Sequence, residues 1–224
     1  MQPQLKPYLT PEEYLTLERQ AETKSDYWDG EMYAMAGASE AHILIVTNLV
    51  SGLGPQLRGQ PCKVYSNDMR VKVQDAGFYT YPDVVVLCGK AHFEDRHTAD
   101  TLLNPTVLIE VLSPSTEGYD HGAKFEFYRG LASLSDYLLV TQKRPFVEHY
   151  VRRPDGKWLL SDYEGLDAVT HITSIGCDLR LADVYDKVEF PAIEETPKGL
   201  LRLVREPEGE YLPRPGMSRL AAAA

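Results

Sequence analysis

Two short apolar runs constrain this chain more than any other feature. Tyr81 to Leu87 reads Y-P-D-V-V-V-L and Thr106 to Leu112 reads T-V-L-I-E-V-L, both rich in β-branched residues. Neither alternates apolar with polar as a strand with one wet face would, so both are expected to be central strands covered on two sides. Each carries one carboxylate, Asp83 or Glu110. An ionised carboxylate in such a place is costly unless it is paired, binds a metal or faces a cleft from a strand end.

The flanking sequence supplies an α/β (α+β) frame. Thr10-Pro11-Glu12-Glu13 has a capping residue, proline at the first helical position and acids in the first turn, which predicts a short helix to about Gln20. Asp29-Gly30 between the aromatic-rich arms of Lys24 to Met35 predicts a hairpin with Glu31 opening its second arm. From Ser39 the stretch containing I-L-I-V-T-N-L-V reads as a buried helix that Gly54-Pro55 could kink, although its Ile and Val content also suits a strand. Cys62 to Val73 reads as a half-buried strand with Met69, Val71 and Val73 inward and Arg70 and Lys72 outward. Asp68 is expected to pair with one of those two cations. A polar loop is expected over Gly89 to Asn104, a helix around Phe125, Tyr128 and Leu131, and three consecutive strands between Leu138 and Tyr163. Beyond them the pattern weakens.

At 224 residues, 43% hydrophobic, the chain suits one well-buried domain over residues 1–190. Residues 191–224 hold five of the 15 prolines and a terminal alanine run, which predicts a weakly structured extension. The net charge of -10 argues against a protein that coats nucleic acid by bulk electrostatics, while leaving room for a local basic groove. Cys62, Cys88 and Cys177 lack C-x-x-C spacing, so neither a disulfide framework nor a zinc site is expected. With no secretory or membrane-spanning apolar run, a soluble cytoplasmic protein without membrane partners is expected.

If the two apolar strands are neighbours, Asp83 and Glu110 can share a divalent cation, with the carbonyl of Val111 as a further oxygen. All-oxygen ligation favours Mg2+ or Mn2+ over zinc. Such an ion would support phosphodiester hydrolysis. Lys124, 14 positions after Glu110 at the start of the next helix, could orient the water or offset transition-state charge. Each residue also has a plain structural explanation: Asp83 at a strand edge, Glu110 paired with Arg70, Lys124 in solvent.

The segments K-S-D-Y-W-D-G-E-M-Y-A-M-A-G-A-S, A-H-I-L, S-N-D-M-R-V-K-V, Y-P-D-V-V-V and I-E-V-L-S-P-S-T-E-G-Y-D-H-G-A-K-F, in that order, resemble the Uma family of restriction endonucleases. That family is a branch of the PD-(D/E)XK nuclease superfamily, and the resemblance runs from about Leu9 to Phe190. It implies a restriction-endonuclease-like core, a mixed β-sheet flanked by helices. Pro82-Asp83 would be the PD element and Glu110 the second acid. The lysine usually two residues after that acid is Leu112 here. A lysine moved to the next helix makes Lys124 the replacement, with Lys72 as second choice. Glu31 and His42 also fall in the matching motifs, Glu31 as a further metal ligand or orienting group and His42 near the scissile phosphate. The function implied is a Mg2+-dependent DNA endonuclease; because double-strand cleavage often uses two copies of one active site and symmetric dimers are the commonest oligomers, a homodimer is expected. Its competitors are a nuclease-fold protein that binds nucleic acid or a partner without cutting, and a hydrolase of a small phosphodiester.

Overall fold

In the computed structural model of this chain the residues described are 8–190, apart from Ala36 and Ser115. Helix α1 (Pro11–Glu18) starts in a capping box: the Thr10 hydroxyl accepts the Glu13 N–H at 3.2 Å, and the Glu13 carboxylate accepts the Thr10 N–H at 2.8 Å. Strands β1 (Ser25–Trp28) and β2 (Glu31–Ala34) form the expected hairpin. Asp29 and Gly30 take φ of 48° and 82° at its turn, the left-handed pair that a two-residue connection requires. Helix α2 (Glu40–Gln56) is capped by Ser39 and buries Ile45, Leu49 and Leu53 along one stripe; Pro55 falls in its final turn.

The chain continues through β3 (Cys62–Ser66), β4 (Arg70–Val73), β5 (Phe78–Thr80), β6 (Val84–Cys88), β7 (Thr101–Leu102) and β8 (Val107–Leu112). A helical segment follows as α3 (Glu117–Tyr119), a π-helical turn over Asp120–Lys124, and α4 (Phe125–Tyr128). Then come β9 (Asp136–Thr141), β10 (Phe146–Arg152), β11 (Trp158–Glu164), β12 (Val169–Ile172), β13 (Cys177–Arg180) and α5 (Leu181–Val184). No helix among the described residues is long and apolar enough to cross a membrane.

The six-stranded sheet has the order β11-β10-β9-β8-β6-β3, and within it only β8 and β9 run parallel. Both apolar runs lie inside this sheet, and their side chains divide between two cores. Val84, Val86, Val107 and Ile109 pack with α2 and α5. Val85, Leu87, Leu108 and Leu112 face Val71, Phe78, Tyr128 and Tyr137 on the other side. Burial on both faces removes the alternation that a one-sided strand would show. The second sheet, β2-β1-β5-β4-β7, carries the hairpin beside β5.

Several expectations need correction. Cys62 to Val73 is two strands in different sheets, because the chain turns at Ser66 to Met69. Arg70 points inward rather than out, 2% exposed, where its guanidinium meets Tyr81, Thr101 and Asp100. Asp68 pairs with Lys24, not with Arg70 or Lys72. The loop after Gly89 contains β7, which pairs with β4. Cys62 and Cys88 form a disulfide: antiparallel pairing of β3 with β6 sets them opposite each other, Cα atoms 4.0 Å apart, although 26 positions separate them in sequence. The expected extension over 191–224 lies outside the described residues.

Where the sequence pattern weakened, the chain forms β12, β13 and α5. A buried polar chain ties them to the main sheet. His149 Nε2 meets Asp136 Oδ1 at 2.7 Å, its Nδ1 meets Thr170 Oγ1 at 3.1 Å, and Ser174 donates to Asp136. His149 and Asp136 are each 1% exposed, so a missing partner would strand a buried polar group. His149→Ala is therefore expected to lower unfolding free energy by about 3 to 5 kcal/mol in denaturant titrations at neutral pH. A loss below about 1 kcal/mol would show that the chain is not what holds these elements.

Candidate active site

Strands β6 and β8 pair with Val84 opposite Ile109. Continuing that antiparallel register by one residue sets Asp83 opposite Glu110 on the same face of the sheet. Their exposures are 8% and 3%, so neither carboxylate has bulk water to stabilise its charge. Asp83 is held from two sides. Its Oδ2 accepts the Val111 N–H at 2.8 Å and its Oδ1 lies 2.9 Å from His42 Nε2.

His42 comes from the first turn of α2, where the Ser39 cap accepts its backbone N–H at 3.2 Å. Gln142, just after β9, orders this corner: its amide nitrogen donates to Leu112 O at 2.8 Å and lies 3.4 Å from His42 Nδ1, while Ser39 donates to its Oε1 at 2.6 Å. With an N–H directed at Nδ1, that nitrogen accepts and Nε2–H donates to Asp83.

Glu110 is held from the helical segment. Its Oε1 accepts from Lys124 Nζ at 3.0 Å and from the Tyr128 hydroxyl at 2.7 Å. Asp120 Oδ1 lies 3.4 Å from the same ammonium. Asp120, Lys124 and Tyr128 are spaced i, i+4, i+8, which stacks them on one helical face. The π-helical turn spans the first two of them, a local rewinding found often at functional sites.

Electrostatics follow from this crowding. Burial pushes the Glu110 carboxyl up to about 8, against the pull of Lys124 and with help from Asp120 and Asp83. Burial works against the Lys124 charge too, but Glu110, Asp120 and Asp26 outweigh it and hold its pKa well above the ordinary lysine range. Burial also raises Asp26, with Lys124, the Thr80 hydroxyl and the Tyr81 N–H opposing. Burial and the neighbouring Glu110 push the Tyr128 phenol well up.

Of the residues singled out in the sequence, Asp83, Glu110, Lys124, His42 and the backbone of Val111 are brought together. Lys72 is not: it pairs with Glu94 and lies over the Tyr79 ring. Leu112, two residues after Glu110, is 6% exposed and packed in the apolar core. Glu31 opens β2 opposite Trp28 and accepts from the Tyr33 hydroxyl at 3.2 Å. Asp26, from β1 of the same hairpin, is an acid whose charge Lys124 feels. Sequence reasoning missed Asp26, Asp120, Tyr128 and Gln142. The i, i+4, i+8 spacing could have revealed Asp120 and Tyr128; Asp26 and Gln142 carry no local signal.

The donor chemistry suits a hard divalent cation. Asp26, Asp83, Glu110 and Asp120 are all buried around one lysine, an acid excess in the protein interior. Asp26 Oδ1 is a buried oxygen without a hydrogen-bond partner among the described residues, and Asp120 Oδ1, also without one, has the Lys124 ammonium 3.4 Å away. No three His, Cys, Asp or Glu side chains among the described residues stand close enough to hold an ion together. Ligation would therefore rest on Asp83 and Glu110 with water completing the shell, a manner of binding usual for magnesium.

Two proteins of Synechocystis sp. resemble this chain closely. The uncharacterized protein slr1290 is 36% identical over 184 residues, 82% of this chain and 95% of its own length. The uncharacterized protein sll1609 is 38% identical over 160 residues, 71% and 90% of the respective chains. A crystal structure described as a putative nuclease belonging to DUF820 from Anabaena variabilis superposes with a TM-score of 0.65 over 79% of this chain and 97% of that one. At 18% identity that likeness establishes the fold, a mixed sheet flanked by helices. Residues 11–182 match the family model described as "Uma2: Putative restriction endonuclease", and the chain belongs to that family.

Proposed function

We propose that this protein is a metal-dependent endonuclease that hydrolyses phosphodiester bonds of DNA. The observation that carries the reading is the 3.0 Å contact between Lys124 Nζ and Glu110, which supplies from a helix the acid–lysine couple that Leu112 cannot supply from the strand. Asp83 and Glu110, with the Val111 carbonyl, would hold Mg2+ or Mn2+. Such an ion, when bound, lowers the pKa of a water and polarises the phosphate.

The chain's own residues then have separate tasks. Lys124 stays protonated, so it cannot take the water's proton and instead offsets negative charge gathering on the phosphate oxygens. Tyr128 fixes the Glu110 carboxyl through its hydroxyl. His42 and the Val111 N–H aim the Asp83 carboxyl, which makes His42 a positioning residue. Asp120 and Asp26 keep Lys124 charged. We assign a contribution from the hairpin to Asp26, which acts on Lys124, and keep Glu31 as a further metal ligand or orienting group. Double-strand cleavage by one such site calls for two copies, which a symmetric homodimer in the cytoplasm would provide.

Cleavage of labelled DNA in magnesium or manganese should vanish with a chelator, and Asp83→Ala or Glu110→Ala should lower it at least a hundredfold, by about 10² or more. Intact DNA and RNA across both metals, alongside turnover of a small phosphodiester, would move the assignment to that substrate class. The two lysines are separated by a further pair of variants. Lys124→Gln should cut kcat by about 10² to 10³ with KM little changed, whereas Lys72→Gln should leave kcat within about twofold. The opposite ranking would return the role to Lys72.

A further inference from the structure

Acids outnumber bases 33 to 23 in this chain, and its cations are well supplied with partners. Each lysine or arginine drawn below the exposed surface meets a carboxylate: Arg70 meets Asp100 at 3.0 Å, Lys124 meets Glu110 and Asp120, Lys72 meets Glu94 and Lys24 meets Asp68. Among the described residues Arg152 is the exception. Its Nη2 donates to the carbonyls of Arg129 and Leu131 at 2.8 and 2.9 Å, its guanidinium lies 4.7 Å over the Trp158 ring, and its buried Nε has no hydrogen-bond partner. Burial disfavours its charge and no acid offsets that. A guanidinium fixed by carbonyls and an indole, with no anion, is prepared for one from outside.

The surroundings agree. Arg152 lines a cleft of about 630 Å³ with Phe125, Arg129, Lys157 and Trp158, against a single acid, Glu126. Arg129 is exposed, also lacks a carboxylate partner, and lies over the Phe125 ring with 5.5 Å to its centroid. Lys157 is exposed, with only Asp155 beside it at 3.3 Å. Arg129, which lines the cleft, follows Lys124 by five residues and ends the same helical segment.

We propose that this cleft holds a backbone phosphate of the nucleic-acid strand, apart from the phosphate whose bond is cut. Three cations concentrated on one face give a protein of net charge -10 a local place to grip a polyanion. This inference rests on the nuclease reading, and binding measured without turnover separates the two.

Labelled single-stranded and duplex oligonucleotides are titrated in EDTA across a range of salt. The Arg129→Gln/Lys157→Gln double variant, altered only at exposed positions, should bind about tenfold more weakly at low salt and lose about two from the slope of log affinity against log salt. In a Trp28→Phe background Trp158 is the remaining tryptophan, and oligonucleotide should quench its emission. Unchanged affinity and slope in the double variant, with the parent protein still binding, overturn the cleft alone. A parent protein that binds no oligonucleotide in EDTA yet cleaves DNA in magnesium overturns the cleft and leaves the nuclease reading standing; one that neither binds nor cleaves overturns both. Quenching of Trp158 by inorganic phosphate but not by oligonucleotide overturns the assignment to a strand.

Discussion

A buried carboxylate and a buried ammonium, Glu110 and Lys124, set the terms for everything around them. Either charge alone at that depth would be prohibitively unfavourable, and together they still need further hydrogen bonds. Tyr128 supplies one to Glu110, and Asp120 supplies a second carboxylate to Lys124. Both come from the helical segment that carries the lysine. That segment therefore cannot slide or rotate without exposing an unpaired charge to the apolar core. The strand, in turn, is fixed by pairing on both edges, antiparallel to β6 and parallel to β9. The result is a rigid platform at which the acids of two neighbouring strands and one helical cation meet.

The cost of the arrangement falls on the protein without ligand. Acids exceed bases at the centre, and burial, with the like charges of Asp120 and Asp83, pushes the Glu110 carboxyl up to about 8 against the pull of Lys124. A well-packed apolar replacement would be at least as stable in the folded chain. On the proposed reading, a hard cation would add the positive charge that this set of carboxylates lacks.

Much of the frame was legible because local chemistry and tertiary context agree. Thr10 and Glu13 cap α1, Asp29-Gly30 turns the hairpin, and the unbroken apolar character of β6 and β8 announces burial on two faces. The misreadings share one cause, a tertiary partner invisible at short range. Arg70 alternates as a solvent-facing strand residue should, yet Tyr81 and Asp100 from distant positions draw it inside. Cys62 and Cys88 meet only because β3 and β6 pair in that register. β12 and β13 depend on His149 reaching across to Thr170. In the site, Asp83 and Glu110 betrayed themselves as charges inside apolar strands. Asp26 did not, because a hairpin acid beside tyrosine looks like any surface turn until β1 is laid against β5.

Lys124 reaches Glu110 from a helical segment, not from the strand that carries the acid. In a strand, residues two apart share a face, so a lysine at position 112 would stand beside Glu110 about 6.6 Å further along. Here that place is Leu112, which joins Leu108, Tyr128 and Tyr137 in sealing the core. Lys124 arrives instead from a helix packed over that face. A lysine anchored by the strand would point where the pleat sends it. One anchored by a helix needs its own orientation, and the π-helical turn with Asp120 one turn before provides it. A buried ammonium held beside Glu110 from a helix gives one reason for three features: the local rewinding at Asp120–Lys124, the buried aspartate at its start, and a tyrosine hydroxyl directed at a carboxylate in the middle of an apolar cluster.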